Sequence, residues 1–216
     1  MTIYKRGSRG ETVKCIQKAL NLYPDGIFGV LTEERVKDYQ RQHGLKPDGI
    51  VGPATMGKLL PSVVATALNL KKSKRVINEI IVHCSATQEG KDFTVADIRR
   101  WHKAQGWSDI GYHYVVYRNG HVELGRDIDI VGAHATDHNA HSIGVCYIGG
   151  LASDGKTPKD TRTLAQKAAL MSLLMDLRKL YPNAKIYSHR DCRMNNGKLP
   201  NKACPSFDAT SEYHIL

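Results

Sequence analysis

"RVINEIIVH", residues 75–83, sets Val76, Ile77, Ile80, Ile81 and Val82 too close together for a strand with one wet face. A continuous Ile/Val run predicts a strand buried on both faces, as in parallel sheets, and it ends at His83. The segments that follow suit a sheet covered by helices. "TVADIRRWHKAQG" (94–106) opens with a Thr94 and Asp97 capping pair and closes on Gly106, which predicts a helix. "YHYVVYRNGHVEL" (112–124) is two alternating segments about Asn119-Gly120, a hairpin signal. "SIGVCYIGG" (142–150) predicts a second buried strand. Residues 163–180 predict a long helix with Leu164, Met171, Leu174, Met175 and Leu177 toward the core, and "AKIYSH" (184–189) a short strand delivering His189. Strands alternating with helices, plus one hairpin, imply an α/β domain with a mixed central sheet and packed helices.

Upstream the pattern differs. "YPDGIFGVLT" (23–32) is echoed by "LKPDGIVGPAT" (45–55), each reading Pro-Asp-Gly-Ile-x-Gly-x-x-Thr. Pro-Asp-Gly sets a tight turn, because proline fixes φ and glycine accepts positive φ. Short helices are expected around the echoes. One carries Val13, Ile16 and Leu20 on one face; one has Thr32 as N-cap and Gly44 as stop; one begins at Pro53. Three helices make a unit too small to enclose an enzyme site, so a binding module is expected at 1–62. Residues 63–76 read as a linker ending in a solvated basic run, and 77–216 as the α/β domain.

The 216 residues carry a net charge of +10, of which residues 1–60 contribute +4, Lys71, Lys72, Lys74 and Arg75 another +4, and the remainder only +2. Such a chain favours polyanions: nucleic acid, an anionic membrane surface or bacterial wall. No base-contacting motif is present, so no specific nucleic acid is expected. No run of 18 apolar residues exists, which excludes a spanning helix and membrane insertion. "MTIYKRGSRGETV" lacks the apolar segment of a secretory signal, so synthesis in the cytoplasm is expected, with five cysteines kept as thiols.

His83 and His189 sit at the ends of buried strands, and Cys204 follows in the proline-containing loop "NKACPSFD" (201–208). Two imidazoles and a thiolate suit zinc, with a fourth position open. Their spacing forms no compact motif, so the residues alone favour core histidines and a structural thiol over a metal site. Cys192, three residues after His189, is a rival ligand.

The segments "IIVHCSAT", "IRRWHKAQGWSDIGYHYVVYRNGHVELGRD", "VGAHATDHNAHSIGVCYIGG", "SHRD" and "KACPSFD" resemble, in order, the zinc N-acetylmuramoyl-L-alanine amidases of the phage lysozyme type, relatives of the peptidoglycan recognition proteins. The N-terminal echo resembles small three-helix peptidoglycan-binding domains. The resemblance implies Zn2+ held by His83, His189 and Cys204, catalytic roles for Tyr112 and Lys202, and His134 lining the substrate groove. It implies hydrolysis of the amide between N-acetylmuramic acid and L-alanine of peptidoglycan, by a monomeric endolysin acting on the cell wall after release. Two other functions remain open in the sequence: a recognition protein that grips without cutting, whose kind usually lacks the cysteine, and a cytosolic muropeptide-recycling amidase, which would gain little from a wall-binding module.

The 14 residues between His189 and Cys204 exceed the spacing of the shortest phage members and are expected to form a surface loop near the cleft. Cys84 is expected to face away from His83, as alternate strand residues do. Trp101 and Trp107 are expected to serve packing.

Overall fold

Strand β1, Glu79–Cys84, lies between two parallel neighbours, β5 (Ser142–Tyr147) and β7 (Lys185–Ser188). The computed structural model describes residues 3–59, 70–214 and 216. The apolar run behaves as expected: Ile80, Ile81 and Val82 are wholly buried. Each such side chain contributes about 1.5–3 kcal/mol by leaving water. The strand runs one residue past His83, to Cys84.

β3 (Tyr114–Val116) pairs parallel with β5 and antiparallel with β4 (Val122–Leu124), completing a five-stranded mixed sheet of order β4-β3-β5-β1-β7. The hairpin turns at Asn119-Gly120, with Gly120 at φ +87°, a conformation that favours glycine. Two short parallel strands, β2 (Thr87–Gln88) and β6 (Gly150–Leu151), were not anticipated and form a second small sheet.

Helix α4, Val95–Ala104, carries the expected capping box between Thr94 and Asp97. It packs Val95 and Ile98 against Ile110, Val115 and Ile148. Trp101 joins this cluster, whereas Trp107 is 39% exposed, its ring on His102. Helix α5, Leu164–Leu180, begins at a second capping box, Thr163 with Gln166. Its buried face corrects the sequence reading. Met171, Leu174 and Leu177 are inside, but Leu164 is exposed and Leu170 and Leu173 take the core instead. Gln166 fixes this phase by donating to the carbonyls of Val116 and Ile148 at the sheet edge. The last helix, α6 (Ala209–Glu212), is capped by Asp208, which accepts from Ser211 N–H.

The chain divides into two compact units, Met1–Thr66 and Ala67–Ile215. The first contains α1 (Glu11–Ala19), α2 (Val30–Gln42) and α3 (Pro53–Leu59), with Val13, Ile16, Leu20, Phe28, Val36 and Val51 buried. Thr32 is not the N-cap of α2; Gly29 is, and the buried Thr32 hydroxyl accepts from Gln17 Nε2 at 3.1 Å.

Residues 63–69 of the expected linker lie outside the described residues. Lys71, Lys72 and Lys74 are exposed, as a solvated basic run requires, but the segment that carries them is fastened down. Asp129 accepts from Lys71 Nζ at 2.6 Å and from Lys74 N–H at 2.7 Å. Ser73 is buried, its hydroxyl donating to Ile128 O, and Arg75 donates to the carbonyls of Ile128, Asn139 and Ser142. This segment is a strap on the α/β unit, held by one carboxylate and a row of carbonyls. No helix among the described residues is long and apolar enough to cross a membrane.

Candidate active site

Parallel pairing aligns Val82 with Ser188, so the residues that follow, His83 and His189, leave the same edge of the sheet side by side. Their ring centroids are 4.5 Å apart. Cys204 is brought to them by a loop fastened at several points. Arg190 N–H donates to Cys204 O at 2.9 Å, Tyr147 hydroxyl to Pro205 O at 2.8 Å, and Ser206 hydroxyl to Gly150 O at 2.8 Å. One donor atom from each of His83, His189 and Cys204 lies within 4.8 Å of the others. His83 Nδ1 and Cys204 Sγ are 3.8 Å apart. Zinc bonds of about 2.0–2.3 Å in a tetrahedron imply ligand separations of roughly 3.3–3.8 Å; the His83–Cys204 pair meets that range and the donor set suits the ion.

The electrostatics keep both imidazoles neutral, the form a cation needs. Burial, then the nearby His134 and His189 and the Lys202 charge, hold His83 well below the usual histidine range. Burial, then Lys202, lowers His189 to about 4. Cys84 does not stand clear of the cluster as strand alternation suggested, because the 203–206 loop wraps the end of β1. Cys84 N–H donates to Cys204 Sγ at 3.3 Å, and its own thiol lies 3.8 Å from Ser206 Oγ. Hydrogen bonding between the two sulfurs allows only one to ionise readily. With no cation present, it lowers Cys84 to about 7 and raises Cys204. A divalent ion beside Cys204 would draw the charge to that sulfur.

Tyr112 lies next to this cluster, its ring 5.1 Å from that of His83. Burial first, then the sulfurs of Cys146 and Cys204, hold its hydroxyl far above the ordinary phenol range, so it is a neutral donor. Lys202 is exposed, and its ammonium has no carboxylate partner among the described residues. It lines a cavity of about 290 Å³ with His189, Ala135, Thr136, Met194 and Pro200. The 190–203 loop forms one wall of this cavity, folded on itself by Met194 N–H to Lys198 O and tied across by Asn195 N–H to Asp137. Cys192 also borders the cavity, but its thiol donates to Ser188 O and it is not among the clustered donor atoms.

His134, expected to line the substrate groove, sits behind His83. It is buried, with Nδ1 at 3.0 Å from His83 Nε2 and Nε2 at 3.3 Å from Ser142 Oγ. His113 is wholly buried, with Nδ1 accepting from Gly144 N–H. His138 joins Glu79 at 2.7 Å and Arg193 O at 3.0 Å, away from the cluster. Ser142 and Cys146, read from sequence as ordinary strand positions, thus line the back of the site. Their only signal was membership of the strand paired with β1.

Residues 73–207 match the family described as N-acetylmuramoyl-L-alanine amidase, and residues 9–59 match a peptidoglycan binding domain. An endolysin of Klebsiella phage KP32 is 47% identical over 131 residues, covering 61% of this chain and 82% of that one. An endolysin of Escherichia phage T7 is 44% identical over 137 residues, covering 63% and 85%. The solved structure of the N-acetylmuramoyl-L-alanine amidase LysC from Clostridium intestinale URNW superposes with a TM-score of 0.52 at 24% identity, covering 68% of this chain and 91% of that one. That likeness concerns the fold.

Proposed function

The chain belongs to the N-acetylmuramoyl-L-alanine amidase family, and from that premise we propose that it is a zinc-dependent endolysin. It hydrolyses the amide joining the lactyl group of N-acetylmuramic acid to L-alanine of the peptidoglycan stem. The convergence of His83, His189 and Cys204 at the sheet edge carries the reading. All three come from one chain, which suits a monomer.

His83, His189 and Cys204 would hold the ion, two neutral imidazoles and one thiolate leaving a corner free. When bound, zinc supplies Lewis acidity and makes water at neutral pH a competent nucleophile, with a pKa of about 7 in such sites. Lys202 borders the same cavity as His189, and its exposed ammonium would meet the negative charge that develops on the carbonyl oxygen. Tyr112 donates a hydrogen bond and orients the reacting groups; a phenol held so far from ionisation is no base. The cavity between Lys202 and Met194 receives the part of the substrate next to the scissile amide. The N-terminal unit would hold the enzyme on the wall, so that each cleavage is followed by another nearby. The site of action is the cell wall, reached after release from the cytoplasm.

Cys204→Ser tests the reading directly. Zinc content and release of stem peptides with a free L-alanine amine, followed by mass spectrometry on purified sacculi, should both be lost. A metal-free Ser variant that still releases those peptides at the unmodified rate overturns it.

A further inference from the structure

His134 is only 7% exposed, and its position is built rather than incidental. Asn139 Oδ1 accepts from the N–H groups of His134 and Ala135 at 2.8 and 2.9 Å, which fixes the backbone. Two glycines open space for the ring. A Cβ on either Gly132 or Gly144 would come within 2.5 Å of His134 Cδ2. The ring meets His83 edge-on, at 80° and 5.0 Å between centroids. The nitrogens that touch are His83 Nε2 and His134 Nδ1, at 3.0 Å, and the far nitrogen of His134 reaches Ser142 Oγ at 3.3 Å.

His83 has two ring nitrogens with different neighbours. Nδ1 faces Cys204 Sγ, and Nε2 faces His134. A neutral imidazole has one N–H and one lone pair, so a ring that ligates through Nδ1 carries its hydrogen on Nε2. At a wholly buried site that hydrogen needs an acceptor, or the ring loses a hydrogen bond worth about 1–3 kcal/mol.

We propose that His134 is a positioning residue: its Nδ1 accepts from His83 Nε2–H, so that the Nδ1 lone pair of His83 points at the cation site. At the far end His134 Nε2–H donates to Ser142 Oγ. The chain His83–His134–Ser142 thus selects one tautomer and one ring orientation for a ligand that the sheet alone would leave free to flip. The inference rests on the zinc reading above.

Zinc affinity of the full chain, measured by competition with a chromophoric chelator, tests it without recourse to activity. His134→Leu removes the acceptor and should weaken zinc binding about 10–100-fold, the usual cost of losing such an outer partner. His134→Asn places Oδ1 where Nδ1 stood and should return most of the affinity. Unmodified affinity in the Leu variant overturns the inference. So does an Asn variant as weak as the Leu variant, since His134 would then act as a space-filler. Ring 15N spectra of the metal-free unmodified protein give a readout independent of folding in either variant: an Nε2–H tautomer at His83 is expected, and an Nδ1–H tautomer overturns the proposal. Failure of the unmodified protein to bind zinc would instead remove the metal reading itself.

Discussion

Gln17 and Gln40, 23 residues apart, make the same four hydrogen bonds. Each side-chain N–H2 donates to an aspartate (Asp25 or Asp48), an isoleucine carbonyl (Ile27 or Ile50) and a threonine hydroxyl (Thr32 or Thr55). Each amide oxygen accepts a glycine N–H, from Gly26 or Gly49, at 2.9 Å. The N-terminal unit is therefore two copies of one polar knot, each closing a Pro-Asp-Gly turn onto a helix. Gln40→Leu leaves the Gly49 N–H unanswered, at about 1–3 kcal/mol if it stays dry, and leaves the Ile50 carbonyl and the Thr55 hydroxyl with only the 3.3 Å bond between them. We expect the N-terminal unit of the full chain to unfold at lower urea and its hold on insoluble sacculi to weaken, with zinc content unchanged.

Lys202 and Tyr112 can be separated from the metal. Lys202→Met should lower kcat about 10²–10³-fold, as loss of an oxyanion partner does, while zinc content and melting temperature stay level. Tyr112→Phe keeps the half-buried ring and removes only the hydroxyl, so kcat should fall with little change in KM. Steady-state kinetics on soluble muropeptides separate these effects; a Lys202→Met enzyme of normal kcat would remove that residue from the chemistry.

His138 links stability to pH. Burial opposes its charge, but the Glu79 carboxylate and the Arg193 carbonyl outweigh that and raise its pKa above the ordinary histidine value. A group whose folded pKa is raised adds stability that is fully present below its unfolded pKa, near 6.5, and lost as pH climbs through the folded value. His138→Gln should therefore cost about 1 kcal/mol at pH 5.5 and less at pH 8.5, read from urea midpoints. A larger cost at the alkaline end would contradict the sign.

Arg162 binds the end of the chain to the sheet-side loops. Its side chain is 1% exposed, pairs with Asp160 at 2.8 Å and Glu212 at 2.9 Å, and lies 3.2 Å over the Phe207 ring. Removing the guanidinium strips Glu212 of this partner and leaves Asp160 only Lys167, at 3.6 Å; both carboxylates are partly exposed, so the cost should fall below the about 3–5 kcal/mol of a fully buried pair. Arg162→Ala should show that loss on chemical denaturation. Arg162→Lys should not restore it, since a point charge cannot serve two carboxylates and a ring face. Because Phe207 follows Cys204 by three residues, zinc affinity should weaken as well.

Much of the α/β unit is legible in its sequence because buried parallel strands and capped helices leave local signals: Ile80 to Val82, Thr94 with Asp97, Asn119-Gly120. The phase of α5 was harder. Apolar residues surround that helix, so periodicity could not say that Leu170 and Leu173 face inward while Leu164 does not; Gln166, bonded to two sheet carbonyls, decides it. Charge correctly marks Lys71, Lys72 and Lys74 as exposed but carries no sign of the anchor, since Asp129, more than 50 residues away, holds the Lys71 side chain and the Lys74 N–H. The buried turn of His134 depends on what Gly132 and Gly144 lack, and an absent side chain gives no orientation in a motif. The two glutamines of the knots did leave a trace, sharing the register of the Pro-Asp-Gly echo, but polar helix residues ordinarily mean solvent.

β1 has a hydrogen-bonded partner along both edges, with Ile80 opposite Ile143 on one side and Ile186 on the other. A slip of one residue would present Val82 or Cys84 where His83 stands. The gap between the two imidazoles is thus gauged by the peptide backbone, through ladder bonds indifferent to side-chain identity. Aliphatic substitutions that preserve volume within the strands should leave that gauge untouched, so this centre can stay constant while the core around it drifts.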